Sequence, residues 1–351
     1  MVAIGLPLVL AAVLIGLTAP GSETDGDNPV LSTSTTTVEP ASPEAKAFQT
    51  RIDDALHAFA ADRLPAVIRA AGEWREGKLA PEGFARELSL FLPEAVNARQ
   101  AVAAIPPLKE TAVVRDLYRD SIGLYIDFGR VYLAAVDPAA EPLRGQLDLI
   151  ARRLRVLADR IYDQGRSVVD PASQSLGGDS VEIRRAPEVP DWEVEGLAAG
   201  PPLAEAPAAP PEVPPEREGQ RQEEPATKWL ARLRQADFPS GADLAGAINA
   251  GDENRLGDLA ETYLASTAAL RVAPDPEGGR VRAAIAALSY LVSAESARVA
   301  QAAVVLPAGS VRDRLSTVAR RLALIGENLL EPELRGAPSG FDRSLLEDGG
   351  P

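Results

Sequence analysis

Arginine is the residue type in this chain whose spacing comes nearest to chemistry. Arg144, Arg152, Arg153 and Arg155 lie within the run RGQLDLIARRLR, and Arg312, Arg314, Arg320 and Arg321 lie within RDRLSTVARRL, 168 positions later. A guanidinium group is a planar fork of donors that matches the oxygens of phosphate and carboxylate. On helices these runs would form two matched anion-binding strips, Arg144, Arg152 and Arg153 on one and Arg312, Arg320 and Arg321 on the other, suited to a phosphate-bearing envelope polymer. The plainer alternative is a solvated face on which Arg144 pairs with Asp148 and Arg155 with Asp159, each pair stabilising its helix by about 0.2–0.5 kcal/mol.

Aromatic side chains are the second candidate. Tyr118, Tyr125, Phe128 and Tyr132 fall close together, while the positions 168 residues on are Ala286, Ser293, Ser296 and Ala300. Bulk in one place and small residues in its counterpart would let the first set line a groove for an apolar or stacked ligand. The competing reading is that each core is filled by its own complementary residues. Arg130 and Arg298 each follow an acid, Asp127 or Glu295, by three positions, the spacing of a local ion pair on a helix. Asp116 and Asp120 share a helical face, but acidic pairs are common in an acidic helical chain.

Other chemistries lack raw material. Cysteine is absent and His57 is the only histidine, so thiolate metal sites, disulfides, a cysteine nucleophile and any paired-histidine centre are excluded. His57 sits between Leu56 and Phe59, where a lone imidazole is ordinarily a packing residue. With no nucleophile–base pair and no ligand cluster, the chain reads as non-catalytic and without a cofactor.

The elements that would position these residues are helices. Phe48, Ile52, Leu56 and Phe59 recur at helical spacing after the Ser42-Pro43 start signal. Pro65 opens a second helix or a kinked continuation, and Pro81 opens a third that Pro93 kinks or divides and Pro106-Pro107 ends. A helix from about 110 to 136 carries the seam Val113, Leu117, Ser121, Leu124, Phe128, Val131 and Ala135; the next carries Leu143, Leu147, Ile150, Leu154, Leu157 and Ile161. Intervals alternating between three and four are those of bundle packing.

This pattern occurs twice. Aligning residues 113–163 with 281–331 without a gap gives about 14 identities in 51 positions, and Pro106 matches Pro274. The expected fold is therefore all-α: two homologous antiparallel, up-and-down bundles, residues 42–166 and 226–334. Between them, residues 167–225 hold 11 prolines, 13 acids and 4 basic residues, the composition of a disordered linker. Residues 335–351 read as a disordered polar tail.

Residues 1–19 contain no charged side chain and form a signal peptide or a transmembrane anchor; residues 20–41 are a Ser/Thr/Pro-rich disordered tether. Acids just past the apolar run place the bulk of the chain outside. A net charge of -15 disfavours nucleic acid, whose binding needs clustered cations. The combined expectation is an exported or membrane-tethered cell-envelope protein acting in protein interaction or scaffolding, with an unknown envelope protein or polymer as partner. A small-ligand or anion carrier using the aromatic face is the alternative.

Overall fold

In the computed structural model the described residues are 43–106, 112–169, 223–235, 238–272, 275–276, 280–330 and 336–347. The apolar run 1–19, the tether 20–41 and residues 170–222 of the linker lie outside them. The protein is all-α.

Helix α1 (Pro43–Ala58) runs through a π-helical turn, Phe59–Arg63, into α2 (Leu64–Arg75). The 24-residue α3 (Pro81–Ala104) starts at its proline with Ala80 extended, and it continues through Pro93 without dividing. Then come α4 (Ala112–Ala135), a 3-10 turn at Pro138–Leu143 capped by the Asp137 side chain, and α5 (Arg144–Val169).

The second half holds α6 (Ala226–Gln235), α7 (Gly241–Ala250), α8 (Glu253–Val272), α9 (Arg280–Val305) and α10 (Ser310–Leu329), and α11 (Ser344–Glu347) lies near the C-terminus. Ser240 and Asp243 close a reciprocal capping box on α7, satisfying two amide donors at once. Gly251, at φ 61°, ends α7 in the left-handed region, where a side chain would be strained, and Asp252 then caps α8. A two-residue parallel pairing of Glu223–Glu224 with Asp275–Pro276 is the one strand pairing among the described residues.

Helices α4 and α5 form one hairpin, α9 and α10 another. The sequence would let two bundles stand apart on a linker; in the structure the hairpins pack on each other, α5 against α9 and α4 against α10. Helix α3, carrying α1 and α2, flanks α4, and α8 flanks α9. The buried side chains of both halves form one contiguous core, so removal of apolar surface from water holds the halves together as well as each half internally. The expected seams are buried, except that Leu143 is half-buried and Val113 is exposed, with Val114 taking the inward position.

The C-terminal segment also departs from expectation. Residues 336–347 form a strap laid over the body. The Ala242 amide donates to the Ala337 carbonyl at 2.9 Å, Glu327 accepts from the Ser339 amide, and Leu346 is buried. Phe341, Leu345 and Leu346 give this stretch enough apolar surface to dock.

Candidate functional site: a buried ion-pair seam between the halves

The fifteen residues from Ser121 to Ala135 of α4 are all buried except the half-buried Leu133, charged ones included. Asp127 is fully buried and ion-pairs with Arg130 one turn along, at 3.4 Å, and with Arg321 of α10 at 2.8 Å. The matching positions of the second half do the same in reverse. Glu295 of α9 pairs with Arg298 at 2.6 Å and faces Arg153 of α5 at 3.8 Å. Each carboxylate thus takes one arginine from its own helix and one from the other half. A surface that meets its own repeat makes contacts in such reciprocal pairs.

Hydrogen bonds within each hairpin repeat too. Ser121 Oγ donates to the Ala158 carbonyl at 2.8 Å, and Ser289 Oγ donates to the Gly326 carbonyl at 2.7 Å, 168 residues on in both partners. At Gly326 a Cβ would stand 2.5 Å from Ser293 Oγ, so glycine lets α9 and α10 close to this distance.

Beside Asp127 lies a second charged group that only the first half has. Arg99 of α3 and Asp120 of α4 are buried, and their counterparts at 267 and 288 are Thr and Leu. Burial pushes the Asp120 carboxyl up to about 7, against the pull of Arg119 and Arg99. Burial, reinforced by Arg321, brings the Arg99 guanidinium down to about 10. The strap closes over this corner: Arg99 donates to the Leu346 carbonyl and Arg321 to the Leu345 carbonyl. Two main-chain carbonyls therefore satisfy arginine donors from opposite halves.

The aromatic set does not line an open groove. Tyr118, Tyr125, Phe128 and Tyr132 are 0–2% exposed and belong to the core. Phe128 meets Phe91 edge-on, Tyr132 meets Phe84 and Trp74 edge-on, Tyr125 packs against Phe59, and Tyr118 against Tyr162. The Tyr125 and Tyr132 hydroxyls are satisfied internally, Tyr125 donating to Asp159 and Tyr132 to Asp148 at 2.8 Å. Burial first, then the neighbouring carboxylate, raises both phenols above their ordinary range.

The arginine strips separate into three kinds. Arg153 and Arg321 are withdrawn into the seam, 5% and 1% exposed, and cannot reach an external polymer. Arg144 pairs with Glu141, in place of the expected Asp148, and lies over the Trp74 ring; Arg152 pairs with Asp148 at 3.2 Å. Arg312 and Arg320 line a cleft with Ser316. His57 is exposed at the end of α1. Among the described residues no group of three or more His, Asp or Glu could hold a metal ion, and no helix is long and apolar enough to cross a membrane.

The cross-half pairs were missed from the sequence, although their duplication was visible: Asp127/Glu295 and Arg153/Arg321 are four charges kept in register on seam helices. The sequence matches no protein-family model, and no similar curated protein or solved structure is found.

Proposed function

We propose that the chain is an internally duplicated, non-catalytic scaffold of the cell envelope, exported or tethered by its N-terminal apolar run, with the two homologous halves joined through the acidic, proline-rich segment. The observation that carries this reading is the reciprocal seam. Charged groups that would serve a solvent-facing reaction centre are instead spent on fixing one half against the other, as a rigid body offered to a partner requires. A carrier built on the aromatic face has lost its groove, since those rings fill the core.

Crosslinking in intact cells, followed by identification of the captured chains and by membrane fractionation, tests the proposal. A recurrent envelope protein captured from the membrane or secreted fraction is the expected result. Capture of cytoplasmic proteins alone would remove the envelope assignment, and substrate turnover by the purified chain would remove the scaffold.

A further inference from the structure

On α5, Arg144, Asp148 and Arg152 stand one helical turn apart, and Asp148 is the counter-anion of the group. It accepts from the Tyr132 hydroxyl at 2.8 Å and pairs with Arg152 at 3.2 Å and Arg75 at 3.8 Å, while the Arg144 guanidinium lies 5.7 Å from the Trp74 ring centroid. The positions 168 residues on are Arg312, Ser316 and Arg320 of α10, with Ala300 of α9 in the place of Tyr132. Both arginines are kept, the carboxylate has become a hydroxyl, and the phenol has become a methyl group.

The vacated space is not refilled. A cleft of about 220 Å³ lies there, walled by Arg312, Ser316, Arg320, Ala300 and the C-terminal end of α7 at Asn249 and Gly251. In the first half, Trp74 and Arg75 at the C-terminal end of α2 reach the corresponding ground. Phe341 of the strap holds the Arg320 guanidinium at 5.9 Å from its ring centroid, as Trp74 holds Arg144. Among the described residues neither Arg312 nor Arg320 has a carboxylate partner. In a chain of net charge -15, two guanidiniums facing one polar cleft without a counter-anion form a local positive site.

We infer that this cleft binds a small oxyanion, a carboxylate or a phosphate group, in the position that the Asp148 carboxylate holds in the first half. The two guanidiniums supply the charge and the forked donors, and Ser316 and Asn249 supply neutral hydrogen bonds. The cleft is smaller than the roughly 300 Å³ at which pockets for drug-sized ligands begin, so the anion is compact. The inference stands independently of the scaffold reading.

The test is calorimetric titration of the full-length chain, purified in detergent, with inorganic phosphate and separately with succinate. At least one of them binds with one-to-one stoichiometry, and the arm that binds more tightly identifies the chemistry. Ser316→Asp, which restores the internal carboxylate, weakens that binding at least about tenfold while keeping or raising the melting temperature. Arg312→Gln weakens it similarly and does not alter the core. Absence of binding to the wild type up to about 10 mM of either anion overturns the inference. So does undiminished binding by either folded variant.

Discussion

Replacing Arg321 by Met probes the seam at its shortest cross-half contact. The two charges stand 2.8 Å apart with Arg321 1% exposed and Asp127 fully buried. With an effective dielectric constant of about 20, their gross attraction is about 6 kcal/mol, and the attraction of Asp127 for Arg130, which stays in place at 3.4 Å, is about 5 kcal/mol. Breaking a buried pair from one side costs about 3–5 kcal/mol, and the remaining arginine sets this case near the lower end, about 3 kcal/mol. The Leu345 carbonyl also loses its donor, adding about 1 kcal/mol. The expected total is about 4 kcal/mol, or a fall in melting temperature of about 8–16 °C for a body of this size. Urea and thermal unfolding followed by far-UV circular dichroism measure it. Adding Asp127→Asn should recover none of this loss, because it takes from the buried Arg130 the carboxylate that Arg321→Met leaves in place. A loss from Arg321→Met below about 1 kcal/mol would refute the claim that this pair holds the halves together.

Asp120 predicts a pH dependence. Its carboxyl is held at about 7 in the folded protein against 3.8 ordinarily, so between those values the folded state keeps a proton that the unfolded state has released. Stability therefore falls as pH rises through this window and the loss is complete above about pH 7, amounting to at most about 4 kcal/mol. Asp120→Asn should lack this slope, and unfolding curves that run parallel to the wild type across the window would contradict it. Leu346→Ala should release the strap at a cost of about 2 kcal/mol, seen as faster proteolysis within residues 336–347; an unchanged cleavage rate would count against docking. Ser121→Ala and Ser289→Ala remove matching hydrogen bonds and should each cost about 1 kcal/mol, equal to within about 0.5 kcal/mol by denaturant unfolding. A clearly unequal pair of losses would mean that the two hairpins are not energetically equivalent.

The helices were legible because apolar side chains recur every three or four positions and prolines and Gly251 punctuate them. The pairs Asp127–Arg130 and Glu295–Arg298 were legible for the same reason, since three residues make one turn. The identical periodicity hid the fate of Tyr125, Phe128 and Tyr132. A ring facing a core and a ring facing a groove have the same spacing, and only the arrival of Phe59, Phe84 and Phe91 from α1–α3 decides between them. The strap escaped notice because Leu345 and Leu346 are two apolar residues among polar neighbours, too few to show a period. Desolvation of Asp120 depends on what covers it, and no neighbour in the chain reports that.

Local order thus belongs to the sequence: helical periodicity, caps and breakers act over a few residues, and the repeat of 168 positions displays one design twice. Partnership belongs to the tertiary structure. Arg321 reaches Asp127 across 194 residues, and Arg153 reaches Glu295, only because hydrophobic burial brings two hairpins face to face and sets a second cation beside each desolvated carboxylate. The same juxtaposition turns one exchange of residues, Asp148 and Tyr132 for Ser316 and Ala300, from a minor difference between copies into a filled space on one side and an open, arginine-lined cleft on the other.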